Sequence, residues 1–217
     1  MIRILIADDH AIVRKGLKQI LEENEDMAVT AEAADGVEAL HKIREGEFEV
    51  VLLDISMPGK SGIDVLKQIR VEKPRLPVLI LSIYPEDQYA VRLLKAGAAG
   101  YLTKETAPAE VVNAVRRVAG GKKHISPAVA EMLADGIGAT PGQAPHETLS
   151  DREYQIFIQL AAASTVSEIA AAMNLSVKTV STYRSRILEK MHLHNNAEMM
   201  HYVIERRLAP LPQDSTL

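Results

Sequence analysis

The stretch EVVLLDISMPGKSG, Glu49 to Gly62, decides the fold. Its four apolar residues, Val50 to Leu53, read as a strand covered on both faces, as strands of parallel sheets are. The run ends on a carboxylate, Asp54, followed by the turn signal Pro58-Gly59. Delivering an acid from a buried strand into a sharp bend is costly unless that acid has a partner or a task.

Outward from this stretch, comparable runs occur at 2–7, 28–33, 78–82 and 100–103. Segments of helical spacing lie between and after them. Their inner faces are expected to carry Val13, Leu17, Ile20 and Leu21; Val37, Leu40 and Ile43; Ile63, Leu66 and Ile69; Val91, Leu94 and Lys95; and Val111, Val112 and Val115. Strand and helix alternating five times predict an α/β doubly wound, five-stranded parallel sheet, with ligands bound beyond the carboxyl ends of its strands.

After Gly120-Gly121 the pattern changes. Ser126-Pro127 is expected to cap a short helix reaching about Asp135, and DGIGATPGQAPHE reads as a linker. From Leu149 the chain is expected to be all-helical. Ser150/Glu153, Thr165/Glu168 and Asn195/Glu198 have capping-box spacing, and Ser176 is a fourth N-cap. The predicted domains are residues 1–121, a linker over 122–148 and a small helical domain over 149–210.

With 47% hydrophobic and 25% charged residues in a chain of 217, the composition is that of a globular protein. There is no cysteine, which excludes disulfide frameworks and cysteine metal sites. The seven histidines show no metal-ligand spacing such as H-E-x-x-H, and His192 and His194 are expected in a solvated turn. Acids interrupt the first apolar run where a secretory leader would continue, and no segment has the roughly 20 apolar residues of a membrane helix. A cytoplasmic location without membrane contact is expected.

The predicted sheet would gather five polar residues at one edge: Asp8 and Asp9 after the first strand, Asp54 and Ser82 at the ends of the third and fourth, and Lys104 after the fifth. Close carboxylate pairs repel by about 4 kcal/mol at an effective dielectric near 20, so the cluster calls for a counter-charge. Oxygen ligands alone suit a hard cation such as Mg²⁺. With Lys104 as a further positive charge and Ser82 as a hydroxyl donor, this set suits phosphoryl transfer to a carboxylate.

The segments ILIADDH, VVLLDISMPGKSG, PVLILS and AGAAGYLTK resemble the receiver domain, of flavodoxin-like fold, of bacterial two-component response regulators. The resemblance implies Asp54 as phosphoacceptor for a sensor histidine kinase. It implies Mg²⁺ held by Asp9, Asp54 and the backbone carbonyl of Ser56, with Asp8 acting through water. Ser82 and Lys104 would bind phosphoryl oxygens, and Tyr101 would be the switch aromatic.

In the helical domain, TVSEIAAAMNLSVKTVSTYRSRILEKM reads as a helix, a tight turn at Asn174 and a longer helix. That longer helix is expected to bury Val177, Val180, Ile187 and Met191, with Lys178, Ser181, Thr182 and Ser185 on its opposite face. This is a helix-turn-helix, whose second helix enters the major groove of DNA. With LSDRE and NNAEMMHYV it resembles the DNA-binding domain of the NarL/FixJ (LuxR-type) family. By that resemblance Ser181, Thr182 and Ser185 face bases. Lys178, Thr179, Arg184, Arg186 and Lys190 contact phosphates or the groove.

Departures from the family pattern are Ala163 in place of Gly and Tyr183 in place of His, with Ser164, Val166 and Ser167 at positions commonly polar or basic. The implied function is a phosphorylation-activated transcription regulator, dimeric on double-stranded DNA, with RNA polymerase as a further possible partner, and not a conventional enzyme. One alternative is a regulator that binds DNA constitutively, its receiver serving only for dimerisation. Another, a haloacid-dehalogenase-type phosphotransferase, would have a second Asp where this chain has Ser56.

Overall fold

The computed structural model describes residues 1–58, 60–137, 144–206 and 208. Gly59, the central linker residues 138–143 and the last two residues of the expected 149–210 domain lie outside them. The chain forms two compact units, Met1–Leu133 and Ala134–Leu217.

In the first unit β1 (Ile2–Ala7), β2 (Met27–Ala33), β3 (Val50–Asp54), β4 (Val78–Ser82) and β5 (Gly100–Thr103) form one parallel sheet of order β2-β1-β3-β4-β5. The helices are α1 (Ala11–Glu22), α2 (Gly36–Glu45), α3 (Gly62–Glu72), α4 (Glu86–Lys95) and α5 (Pro108–Ala119), and α6 (Pro127–Ile137) follows. Alternation along the strands sends Ile4, Ile6, Val50, Leu52, Leu79 and Leu81 to one face, where they meet Leu17 and Leu21 of α1 and Val111, Val112 and Val115 of α5. Leu5, Val51, Leu53 and Ile80 take the other face and are fully buried. β3 therefore has no solvated side, as its sequence predicts.

Three helix faces differ from expectation. Val37 is 66% exposed, because the carboxylate of Asp35 accepts from the amides of Val37 and Glu38 and starts α2 at Gly36. Gly36, Ala39, Leu40 and Ile43 then form the inner stripe. In α4 the buried residues are Tyr89, Ala90 and Leu93, while Val91 and Leu94 are half-buried and Lys95 is exposed. The Tyr89 ring, 5.0 Å from that of Tyr84, sets this rotation. In the second unit Val177 is 51% exposed, because it is the first residue of its helix and precedes the packed turn.

The second unit contains a 3₁₀ turn (Pro145–Thr148), α7 (Asp151–Ala161), α8 (Val166–Ala172), α9 (Val177–Met191) and α10 (Asn196–Glu205). Ser150 and Thr165 make reciprocal capping boxes. At Asn195 the side chain caps Glu198, but the Glu198 carboxylate reaches the amide of His194 instead of that of Asn195. Ala163, Asn174 and His192 follow α7, α8 and α9 with φ of 65°, 51° and 54°. The amides after them bond back to Gln159, Ala170 and Leu188, closing three left-handed C-terminal motifs without glycine. An exposed alanine at φ 65° is strained, so Ala163→Gly should stabilise this unit by about 0.5–1 kcal/mol. The check is an increased urea midpoint with unchanged slope. An unchanged midpoint would mean that no strain is held there.

Candidate functional site

The order of the strands reverses between β1 and β3, and the crevice at their carboxyl ends is where such sheets bind ligands. Ala7 pairs with Leu53, so Asp8 and Asp54 leave the sheet side by side. Leu81 is level with Asp54, and Ser82 with Thr103, one residue before Lys104. The predicted edge residues thus converge. Asp8, Asp54 and Ser82 are buried, and the Lys104 side chain is 11% exposed.

Lys104 Nζ lies 2.7 Å from Asp8 Oδ2 and donates to Asp54 Oδ2 at 3.0 Å. Asp54 Oδ1 accepts from the Ser56 amide at 3.1 Å. Burial pushes the Asp54 carboxyl above the ordinary carboxylate range and Asp8 pushes the same way, against the pull of Lys104. Burial disfavours the Lys104 ammonium, but Asp54 and Asp8 overcome this and raise it above its ordinary value, so it stays cationic. One cation thus faces two buried acids and a third beside them. Three carboxylates beside one ammonium leave the pocket an excess of negative charge, which fits a site built to take a hard cation.

Gly62 shows how tightly the phosphoacceptor candidate is framed: a Cβ there would stand 2.0 Å from the Asp54 carbonyl oxygen. The loop of the opening stretch can therefore fold α3 back against Asp54 only with glycine at this position. Ser82 Oγ accepts from the Tyr84 amide at 3.0 Å, and the Lys104 amide donates to the Ser82 carbonyl at 2.7 Å. Tyr101 is buried, and its hydroxyl donates to the Tyr84 carbonyl at 2.8 Å. Ser82 and Tyr101 thus hold the same loop from two sides.

Two features were not anticipated. His10 Nδ1 lies 2.8 Å from Asp9 Oδ1 and 3.1 Å from Asp8 Oδ1. The only cue in the sequence is its place directly after the two acids. Ser126, which caps α6, also donates to the carboxylate of Glu86, the first residue of α4. His124 joins β5 through a parallel bridge to Gly100, and Lys123 donates to the Ala98 carbonyl.

In the second unit Lys178, Ser181, Thr182, Ser185 and Arg186 are exposed along α9, as expected, and Thr179 and Arg184 are half-buried. Ser176, Lys178, Thr179, Thr182, Tyr183 and Arg186 line one shallow cleft. The hydroxyls of Thr182 and Ser185 turn back onto the carbonyls of Lys178 and Ser181. Arg184 Nε donates to Asn196 Oδ1 at 2.8 Å. Lys190 is committed within the fold, 2.7 Å from buried Glu153 Oε2, which also accepts from the Ser150 amide. Burial opposes ionisation of Glu153, yet Lys190 and Ser150 together hold its carboxyl below the usual range.

Residues 4–116 match the family described as the response regulator receiver domain, and residues 147–203 match the LuxR family of bacterial regulatory proteins. The chain is 36% identical over 209 residues to the response regulator UvrY of Escherichia coli, covering 96% of each chain. It is 37% identical over 200 residues to the response regulator GacA of Pseudomonas aeruginosa, covering 92% of this chain and 94% of that one. Among solved structures, RcsB of Salmonella enterica bound to promoter rprA with the phosphomimetic BeF3- matches at 25% identity and a TM-score of 0.62. That match covers 94% of this chain and 98% of RcsB.

Proposed function

Because this chain belongs to the response regulators that join a receiver domain to a LuxR-family DNA-binding domain, we propose that Asp54 is the residue on which it is switched. The protein is a DNA-binding transcription regulator activated by phosphorylation, not a conventional enzyme. The observation that carries the assignment of Asp54 is its buried carboxylate beside Asp8, with both acids facing Lys104. Residues 1–121 form the receiver, 122–148 the linker and 149–210 the DNA-binding domain.

In this reading a sensor histidine kinase presents its phosphohistidine and an Asp54 oxygen attacks the phosphorus. The P–N bond breaks, and the departing imidazole takes up a proton. Mg²⁺, held by Asp9, Asp54 and the Ser56 carbonyl with Asp8 through water, supplies positive charge to the phosphoryl oxygens when bound. Lys104 already points at Asp54 and neutralises another oxygen. Phosphorylation adds about −1.5 to −2 charges in a buried pocket. The Ser82 hydroxyl then has reason to leave Tyr84 and turn to the phosphoryl group. Because the Tyr101 hydroxyl is bonded to the Tyr84 carbonyl, a shift of that loop releases or drags the ring. The loop runs directly into α4, whose Glu86 holds the cap of α6, giving the change a path to the linker.

Mass spectrometry after incubation with a small acyl phosphate and Mg²⁺ should find one phosphoryl adduct, in the peptide that carries Asp54. An adduct elsewhere would overturn the assignment.

On DNA, a two-fold dimer would read two half-sites, as one helix-turn-helix reads only a short one. RcsB has been seen as dimers bound to DNA. Ser181, Thr182 and Ser185 supply permissive base contacts, so DNA shape carries part of the specificity. Lys178 and Arg186, with Thr179, contact phosphate or the groove. Arg184 and Lys190 reach DNA only by sharing or leaving Asn196 and Glu153. Lys178→Ala and Arg186→Ala should each weaken binding similarly across sequences and reduce the salt slope by about one. Lys190→Ala should mainly lower the unfolding midpoint, because it leaves buried Glu153 without its counter-charge, held by the Ser150 amide. Titrations at several salt concentrations, with melting curves, separate these outcomes, and equal slopes for all variants would remove Lys178 and Arg186 from the interface. From the DNA target we infer a cytoplasmic location, and RNA polymerase is the remaining partner of this reading.

A further inference from the structure

The face of α9 turned away from buried Val180, Ile187 and Met191 carries Lys178, Ser181, Thr182 and Ser185, all exposed. Two of its hydroxyls are already committed. Thr182 Oγ1 donates to the Lys178 carbonyl at 3.0 Å, and Ser185 Oγ donates to the Ser181 carbonyl at 3.2 Å. A carbonyl can only accept, so in both bonds the hydroxyl supplies its one hydrogen. What each oxygen still offers to the outside is a lone pair.

That commitment decides which way a contact to a base runs. Accepting a hydrogen bond leaves the bond to the helix in place and strengthens it, because hydrogen bonds in series polarise one another. Donating one would require the hydroxyl to turn and give up the helix carbonyl. Both positions are therefore biased to accept. One turn beyond Ser185 on the same stripe stands Glu189, exposed, whose carboxylate also only accepts.

The major groove separates bases on this point. Adenine carries the N6 amino group and cytosine the N4 amino group where guanine and thymine carry the oxygens O6 and O4. Against an amino group, a hydroxyl that only accepts gains a bond. Against a keto oxygen it sets two acceptors face to face and leaves both without a partner. Every base pair holds one amino and one keto base of this kind. The contact therefore reads which strand carries the amino base, and A·T and C·G satisfy it alike.

We propose that Thr182 and Ser185 read DNA as acceptors only, selecting adenine or cytosine and rejecting guanine and thymine on the strand each residue faces. The inference rests on the reading of α9 as the helix that enters the major groove. The contacts stay permissive between the two amino bases and become strict against the two keto bases.

The test selects DNA from random duplexes with the phosphorylated full chain, native and with Thr182→Val, Thr182→Ser or Ser185→Ala. The native chain should enrich adenine or cytosine roughly three- to ten-fold over guanine and thymine at two positions of each half-site. Thr182→Val keeps the shape and loses the acceptor, so it should equalise one position, and Ser185→Ala should equalise the other. Thr182→Ser retains the hydroxyl and should retain the preference. Deleting the amino group, with purine in place of adenine or pyrimidin-2-one in place of cytosine, should weaken native binding by the same factor. It should leave the matching variant unaffected. A merely structural effect of these substitutions would weaken binding to every sequence alike and leave the profile as it was. Enrichment of guanine or thymine at a position that either variant equalises would overturn the proposal. So would an unchanged profile in either variant, or equal losses for native and variant chains on deletion of the amino group. If the native chain selected no sequence at all, the reading of α9 as the recognition helix would itself fail, and this inference with it.

Discussion

Replacing Asp54 with asparagine is expected to abolish phosphoryl uptake and to fix DNA affinity at its unphosphorylated level. Asparagine keeps the shape of the side chain and an oxygen for the Ser56 amide, but it is not a nucleophile. Couplings between two sites are typically 1–3 kcal/mol, so phosphorylation of the native chain should tighten operator binding about 5- to 150-fold, and the variant should show a ratio of one. The loss would not come from unfolding. Burial and the neighbouring Asp8 already disfavour the ionised Asp54, so a neutral amide removes a repulsion and should leave the unfolding midpoint equal or higher. Phosphorylation, DNA binding and melting measured on the same preparation check all three parts. A variant that still took up phosphate would move the switch to another residue.

Lys104→Met should produce the largest loss of stability. It deletes the cation that faces both Asp8 and Asp54 while filling similar volume, leaving two buried acids side by side. Removing one partner of a buried ion pair costs about 3–5 kcal/mol. The cost should depend on pH in a definite direction. Without Lys104 the Asp54 carboxyl, already raised by burial, rises further, and a raised carboxyl favours the folded state only once protonated. The deficit should therefore be greatest at neutral pH and shrink as pH falls through the folded-state pKa towards the unfolded one. Mg²⁺ should restore much of it by supplying the missing charge. Urea denaturation across pH, with and without Mg²⁺, tests this, and a deficit indifferent to both would mean that Lys104 does not compensate these acids.

Much of the receiver is legible in the sequence because buried parallel strands are written as unbroken apolar runs. Val50 to Leu53 and Val78 to Leu81 are buried throughout, and the next residues of their strands are the polar groups Asp54 and Ser82. Strand order is enough to bring Asp8, Asp54, Ser82 and Lys104 together. Helix faces are less legible where the start of the helix sets its rotation. Asp35 and Gly36 turn Val37 outward, and the ring of Tyr89 turns α4 so that Leu93 faces inward instead of Leu94.

Long-range pairing of charges is not written in local pattern at all. Lys190 looks like a free basic residue at the end of the recognition helix until α7 brings Glu153 beneath it. His10 looks like an ordinary N-cap until the turn through Asp8 swings its ring onto the acids. The bond from Ser126 to Glu86 joins residues 40 apart in sequence, and it ties the start of α6 to the helix that follows the Ser82 loop. The stretch from Glu49 to Gly62 therefore prepares the acid proposed as the phosphoacceptor, while the proposed path leading from it depends on contacts that only the folded chain creates.

We propose that chemistry at Asp54 governs DNA binding by α9. The most direct measurement is the affinity of the full chain for DNA selected from random duplexes, with and without phosphorylation, together with the mass of the complex. Tighter binding of the phosphorylated chain, as a dimer on paired half-sites, is the predicted result. Equal affinity and equal stoichiometry in the two states would contradict the account and leave a regulator that binds DNA constitutively.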